Sequence, residues 1–167
     1  MSEILPDVLR PKLKLVFCGT AASKRSAQDK AYYAHPGNLF WKTLFTMGFI
    51  PEPLQAAQFH VLPEYGIGLT DLNKSQSGVD AVLDKQYFDC TGLREKIQQY
   101  QPQILAFTSK HAAMSFYQIK KLVYGEIAQP IFNTRIWVLP STSGNARPHW
   151  QKLQHHWQDL SKIINTL

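Results

Sequence analysis

The sequence predicts an α/β protein: a three-layer α/β/α sandwich around a central, mostly parallel sheet of four to five strands. Short apolar segments typical of buried strands alternate along the chain with segments of helical periodicity. The connections between them are short, which favours parallel strands with helices on both faces. The chain has 167 residues, of which 44% are hydrophobic, so we expect one domain over residues 1–167 with a substantial core.

The first strand is predicted over residues 12–18, where LKLVFC is an almost continuous apolar run. We expect residues 1–11 before it to be a flexible, loosely attached arm. Gly19 ends the strand and allows a tight turn. A loop of small and hydroxylated residues follows, with two cations, and its composition allows a ligand to approach the main chain closely.

The remaining segments continue the alternation of strand and helix. Helices are predicted over residues 39–49, 54–62, 91–100, from Ser109 onward, and over 148–164 as one amphipathic helix. Strands are predicted over residues 69–72, 103–108 and 135–139. The polar segment 73–90 is predicted to be a mobile loop.

Small, hydroxylated and basic residues follow three of the predicted strands. They occupy residues 19–26, 109–110 and 141–147. In α/β sheets the ligand crevice lies beyond the carboxyl ends of the strands, so we expect these loops to line one cleft. The residues alone indicate a phosphate-bearing or nucleic-acid ligand and indicate no reaction.

The charge and composition limit the classes of partner. Lysine and arginine outnumber acidic residues by 18 to 12, and the resulting net charge of +6 favours an anionic partner. No apolar run approaches the length of a membrane span, no signal-peptide pattern is visible, and the two cysteines lack metal-ligand spacing. We therefore expect a cytoplasmic protein that uses neither a membrane nor a metal.

Four segments resemble successive motifs of the mismatch-specific uracil and thymine DNA glycosylases, a branch of the uracil-DNA glycosylase superfamily. They are VFCGTAASKRSA, YYAHPGNLFWKTL, YGIGLTDL and LPSTSGNAR, and the resemblance covers roughly residues 12–160. It implies the α/β fold of that family and a monofunctional enzyme of base excision repair. Such an enzyme flips uracil, or a related deaminated or mismatched base, out of double-stranded DNA. It then hydrolyses the N-glycosidic bond and leaves an abasic site. The resemblance also implies a monomer that needs no cofactor and no obligate protein partner.

The first motif departs from the usual pattern of the family. Relatives carry a water-positioning asparagine there, in a Gly-Ile-Asn-Pro-Gly-like sequence, whereas this chain has Ala21 in a GTAAS-like subtype. An alanine methyl group neither orients water nor stabilises charge. Asp71 is the replacement that the resemblance suggests, because it could hold the attacking water or stabilise the positive charge that develops on the sugar.

The resemblance also implies roles for other residues. Tyr33 stands where relatives stack an aromatic ring on the flipped base. The implied base pocket comprises Gly19, Thr20, Ala21, Ala22, Ser23, Tyr33 and Asn38. The implied DNA contacts are Lys24, Arg25, Ser26, Ser109 and Lys110, together with the wedge loop of Ser143, Gly144, Asn145, Ala146 and Arg147, which would fill the gap left by the flipped nucleotide.

Several simpler interpretations remain open for the same residues. Asp71 could cap a turn or pair with a lysine, Tyr33 could be a core aromatic residue, and Asn38 could serve only as a helix cap. At the level of function, the loss of the asparagine also fits an inactive module that recognises damaged DNA. A third possibility is an enzyme that processes free nucleotides or nucleosides.

Overall fold

A single five-stranded sheet forms the centre of the structure, a computed structural model that describes residues 3–167. The strands are β1 (Leu15–Gly19), β2 (Ile67–Asp71), β3 (Ile104–Phe107), β4 (Gly125–Ile131) and β5 (Thr134–Val138). Their order is β2-β1-β3-β5-β4; all neighbours are parallel except β4, which is antiparallel to β5. The predicted α/β class with a mostly parallel sheet is therefore confirmed.

Helices connect the strands, except that a short turn joins β4 to β5, and they cover both faces of the sheet. The α-helices are α1 (Lys24–Asp29), α2 (Phe40–Thr46), α3 (Cys90–Tyr100), α4 (Lys110–Tyr117), α5 (Arg147–Leu153) and α6 (His155–Ile164). The 3-10 helices are Ala56–Tyr65, Asp80–Val82, Lys85–Tyr87 and Gly144–Ala146. Within residues 3–167, no helix has the length and apolar character needed to span a membrane.

The central strand β1 has a core on each side because its side chains alternate between the two faces. Leu15 and Phe17 belong to one apolar cluster, while Val16 and Cys18 belong to the other. The Phe17 ring stacks on Trp157 of α6, with the ring centroids 5.4 Å apart. Burial on both faces explains why this strand appears in the sequence as an unbroken apolar run.

The edge strand β4 was not predicted. Six of its seven residues are partly buried or exposed, no face of the strand is continuously apolar, and Pro130 interrupts the segment. An edge strand is held by main-chain pairing on one side, so it needs little hydrophobic patterning. The C-terminal helix also differs, because α5 and α6 meet at Gln154. That residue keeps right-handed helical angles, so the apolar periodicity continues across the junction and hides it.

The N-terminal segment is not the loose arm that we expected. Met1 and Ser2 lie outside the described residues, but Leu5 is 1% exposed and belongs to the larger apolar cluster. Val8 pairs with Leu69 of β2 through two main-chain hydrogen bonds of 2.9 Å. The segment is short and contains proline, so neither strand nor helix periodicity could reveal this packing.

The segment 73–90 is also more ordered than we expected. Asn73 is buried, and its side-chain oxygen accepts hydrogen bonds from the main-chain N–H groups of Ser75 and Gln76. The N–H of Gly78 donates to the carbonyl of Ala22 at 2.9 Å. These bonds fix the segment against the loop that follows β1.

Candidate active site

An open cleft of about 820 Å³ lies at the carboxyl edge of the sheet, where the parallel strands end. The predicted loops after β1, β3 and β5 all contribute to it. Its lining residues are Leu5, Gly19, Thr20, Ala21, Ala22, Ser23, Ser26, Tyr32, Tyr33, His35, Asn38, Asp71, 78–81, Thr108, Ser109 and 141–146. Sequence reasoning missed two of these segments, Leu5 and residues 78–81. Both segments reach the cleft by packing against distant strands and loops, and nothing in the sequence indicates this packing.

Asp71 is the last residue of β2 and lies opposite Gly19, the last residue of β1, in the sheet register. It is 7% exposed. Among residues 3–167, no side chain forms a hydrogen bond or an ion pair with its carboxyl group. A Cβ atom on Gly19 would stand 2.7 Å from Asp71 Oδ1, so the absence of a side chain at residue 19 makes room for this carboxyl group.

Burial raises the pKa of Asp71 to about 7. Charged groups behind the cleft modify this effect, since Lys74 and Lys96 lower the pKa and Asp7 raises it. The main-chain N–H of Gly19 also favours the charged form. Near neutral pH, both the protonated and the ionised forms of Asp71 are therefore populated.

Tyr33 forms part of the cleft floor and is held on two sides. Its ring stacks on Phe40 with centroids 3.9 Å apart, and its hydroxyl lies 3.2 Å from Oγ1 of Thr108. Its φ of +52° is in the left-handed region, which is unusual for a bulky residue and which the surrounding contacts must enforce. Because Phe40 covers one face of the ring, a ligand base could stack only on the other face.

Asn38 serves both as a cap and as a lining residue of the cleft. Its Oδ1 accepts hydrogen bonds from the main-chain N–H of Phe40 at 2.9 Å and from the hydroxyl of Thr142 at 2.8 Å. These two donors fix the orientation of the amide. In the part of the chain that the structure describes, the amide nitrogen of Asn38 has no partner, so its N–H groups remain available to a ligand.

The loop after β1 has small side chains, as predicted, and two of its hydroxyls take part in internal hydrogen bonds. Ser23 caps α1 by accepting a hydrogen bond from the N–H of Ser26. Ser26 is 2% exposed, and its hydroxyl accepts from the N–H of Ala34. Ser26 accepts this bond and keeps its own O–H donor at the edge of the cleft, so a contact between Ser26 and a DNA phosphate stays a prediction.

The predicted DNA-contacting cations occupy different environments. Lys24 and Arg25 are exposed at the start of α1, and Arg25 forms an ion pair with Asp29 at 2.7 Å. Arg147 is exposed and donates to the carbonyl of Gly37 at 3.2 Å. Lys110 does not line the cleft; its ammonium lies 4.3 Å from the ring centroid of Tyr124.

The polar loop residues divide between the cleft and its supporting structure. Ser109 lines the cleft while its hydroxyl caps α4 by accepting from the N–H of Ala112. Ser143, Gly144, Asn145 and Ala146 of the wedge loop also line the cleft. Two further lining residues were not predicted: His35 and Thr108. Thr108 directly precedes Ser109, so the hydroxylated residues after β3 begin one position earlier than we assigned.

Residues 3–167 contain no group of three or more His, Cys, Asp or Glu side chains that could hold a metal ion. The chemical groups in the cleft are one buried carboxyl group, one exposed carboxyl group, two phenol rings, two side-chain amides, one imidazole and several hydroxyls. Together with the parallel sheet, they define an α/β protein that can hold a planar polar ligand against Tyr33 and beside Asp71.

A model of the Uracil DNA glycosylase superfamily matches residues 6–161, and the chain therefore belongs to this superfamily. Enzymes of the superfamily are DNA glycosylases, which act on DNA. A solution NMR structure of a candidate uracil DNA glycosylase from Methanosarcina acetivorans has a similar fold, with a TM-score of 0.64. Its sequence is 21% identical, and the match covers 96% of each chain. The mismatch-specific branch and its GTAAS-like subtype stay a prediction.

Proposed function

We propose that this protein is a monofunctional DNA glycosylase that removes uracil, or a related deaminated or mismatched base, from double-stranded DNA. The observation that supports this proposal most directly is Asp71, a buried carboxyl group without a side-chain partner, in the cleft of a member of the uracil DNA glycosylase superfamily. A buried acid with a raised pKa in a cleft is typical of a functional group.

In this proposal, ionised Asp71 does the work of the asparagine that the family usually carries. As the N-glycosidic bond breaks, the sugar gains positive charge and the base gains negative charge. A carboxylate in a poorly solvated cleft stabilises the sugar cation and can also orient the attacking water. Only the ionised form is useful, so base release should increase with pH as Asp71 ionises around pH 7.

The amide of Asn38 offers a basis for choosing deaminated bases. Its oxygen is committed to Phe40 and Thr142, so it presents N–H donors to a ligand. Deamination of cytosine or adenine replaces an amino donor with a carbonyl acceptor. Uracil or hypoxanthine could therefore accept a hydrogen bond from Asn38, whereas the parent base would place a donor against a donor.

The loops at the rim provide the means of extracting a base from the duplex. Flipping costs about a few kcal/mol, and less for a mismatched or damaged base. Stacking on the free face of Tyr33 would contribute about 1 to 3 kcal/mol. The wedge loop, residues 143–147, would occupy the gap in the duplex, while Lys24, Arg25 and Arg147 would contact phosphates and position the strand.

Single-turnover base release tests the proposal on labelled duplexes that carry uracil, hypoxanthine, xanthine or a mismatched thymine. We expect wild-type protein to release at least one of these bases. Asp71→Asn and Asp71→Ala should lose about 10²- to 10⁴-fold in rate while retaining DNA binding. Glu64→Gln is the matched control, because it removes the same charge from an exposed residue before β2, at the opposite edge of the sheet. Activity retained by both Asp71 variants would contradict the assigned role.

Ala21 supports a second candidate, an inactive module that recognises damaged or mismatched DNA. It lines the cleft with only a methyl group where relatives carry the asparagine. Under this alternative, wild-type protein would bind the damaged duplexes and release no base. Asp71→Asn would then bind as tightly as wild type or more tightly, because it removes a negative charge near the DNA.

A further inference from the structure

A cluster of four polar side chains lies beside the end of β2 and joins the N-terminal segment to three other parts of the chain. Asp7 accepts hydrogen bonds from the hydroxyl of Thr70 at 2.6 Å and from Nζ of Lys74 at 2.9 Å. Its second oxygen pairs with Nζ of Lys96, on α3, at 2.6 Å. The side chains of Asp7 and Lys74 are only 18% and 11% exposed, so solvent screens their charges poorly.

This cluster is connected to the cleft on two sides. Thr70 directly precedes Asp71 in β2, and Lys74 follows it by three residues. The Lys74 ammonium also donates to the hydroxyl of Tyr32 at 3.0 Å, and Tyr32 lines the cleft next to Tyr33. The carbonyl of Lys74 accepts from the N–H of Ile4, which fixes the N-terminal segment to the same loop.

We infer that Asp7 and Lys74 are positioning residues for Asp71: their ion pair and its hydrogen bonds hold the end of β2 and the loop after it in place, with opposite charges next to the cleft. This inference rests on the proposed function, because the charge on Asp71 matters only if Asp71 acts in catalysis. The N-terminal segment thereby becomes a functional part of the site.

The charges around Asp71 oppose one another. Lys74 and Lys96 favour its ionised form, and Asp7 disfavours it. Burial raises the pKa of Asp7, but its bonds to Lys74, Lys96 and Thr70 outweigh burial and hold that pKa below its usual value. Asp7 is therefore a fixed negative charge near neutral pH, and the two lysines compensate for it.

The other titratable groups near Asp71 stay neutral in the relevant range. Burial raises the pKa of the Cys18 thiol on β1. Burial likewise raises the pKa of the Tyr32 and Tyr33 phenols, on the segment between α1 and α2. Burial is thus the main cause of the raised pKa of Asp71, and the balance of Asp7, Lys74 and Lys96 adjusts that pKa.

Two substitutions at one ion pair should act in opposite directions. Asp7→Asn leaves the two lysines uncompensated, which stabilises ionised Asp71 and lowers its pKa. Lys74→Met leaves Asp7 less compensated, which raises the pKa of Asp71. We expect each change to be about one pH unit, since nearby charges commonly have effects of this size. For Asp7→Asn this means about fivefold faster base release at pH 6. A purely structural role would impair both variants without this reversal of sign.

The experiment measures two quantities for the full-length protein and each variant. The first is the pH profile of single-turnover release of uracil from duplex DNA. The second is the titration of the Asp71 carboxyl carbon by NMR, which requires no catalysis. Glu126→Gln is the control, because Glu126 forms an exposed ion pair with Arg135 on the far strands of the sheet and should leave both measurements unchanged.

The inference is supported if the two substitutions shift the pKa of Asp71 in opposite directions and the pH profiles of base release shift in the same way. If the enzyme is active but the pKa of Asp71 does not shift, or shifts in the same direction in both variants, the inference is overturned and the proposed function stands. Opposite displacements without any base release would overturn the proposed function and confirm only the charge arrangement. If Lys74→Met does not fold, Lys96→Met replaces it, because it removes a more exposed cation from the same cluster and should act with the same sign.

Discussion

Asp71 illustrates at the level of a single residue how a functional group can oppose stability. Its pKa rises from the ordinary value of 3.8 to about 7 because burial disfavours the charged form. Between these values the folded state binds more protons than the unfolded state, so the free energy of unfolding decreases as pH rises. Asp71 contributes nothing to the free energy of unfolding below its pKa in the unfolded state, where both states are protonated. Its contribution is most unfavourable above its pKa in the folded state.

We therefore expect Asp71→Asn to be more stable than wild type at alkaline pH. The amide has nearly the same shape and cannot ionise, so the stability difference should grow by about 2 to 3 kcal/mol between pH 5 and pH 8. Urea denaturation of both proteins at several pH values measures it. A difference that does not vary with pH would show that the pKa of Asp71 is not raised.

The sequence predicted some site residues well because their signal is local. Gly19, Tyr33, Asn38 and Asp71 belong to recognisable motifs, and all four line the cleft. The partners of Asp7 could not be found in this way. The ion pair of Asp7 with Lys74 joins residues 67 positions apart and depends on packing of a segment that has no periodicity of its own.

At the level of structural elements, the wedge loop is held by the turn that precedes α2. Gly37 donates its N–H to Nδ1 of His35 at 2.9 Å and accepts at its carbonyl from Arg147 at 3.2 Å. His35 lines the cleft, so these bonds bring an imidazole and a guanidinium to the same part of the rim. Arg147 uses one of its donors for this bond and retains others for a phosphate.

We expect Arg147→Ala to weaken duplex binding without abolishing chemistry. Loss of one phosphate contact should reduce the slope of log K against log salt by about 0.9. Base release at saturating protein should change much less, because Arg147 lies outside the group around Asp71. Fluorescence anisotropy across a salt series measures the slope. Lys12→Gln is the control, since Lys12 is exposed before β1, at the opposite edge of the sheet. Equal effects of the two substitutions would indicate a general charge effect and no contact at residue 147.

Buried elements were easier to predict than exposed ones. The strands β1, β3 and β5 are buried almost throughout and stand out as apolar runs. The strand β4 is mostly accessible and gave no such signal. The same physical reason applies to residues 78–81, whose place in the cleft wall depends on a main-chain bond between Gly78 and Ala22. Main-chain pairing depends weakly on side-chain identity, so the sequence records it poorly.

At the level of the whole molecule, the cleft distinguishes a DNA enzyme from one that processes free nucleosides. A free nucleoside is small and would contact only the floor of the cleft, around Asp71, Tyr33 and Asn38. Duplex DNA would also contact the wedge loop and the exposed cations on the rim, and the chain carries a net charge of +6 to attract it. Binding energy from such remote contacts drives distortion and orientation at the reacting bond, so a truncated substrate loses rate as well as affinity.

We therefore expect base release from uracil-containing duplex to exceed release from free deoxyuridine by several orders of magnitude in kcat/KM. Chromatographic detection of free uracil allows both substrates to be compared with the same protein preparation. Raising the salt concentration at subsaturating protein should slow the reaction with the duplex, because its binding releases counterions, and should leave any reaction with the uncharged nucleoside unchanged. Comparable values of kcat/KM for the two substrates would instead favour the nucleoside-processing interpretation, since the rim would then contribute nothing to the reaction.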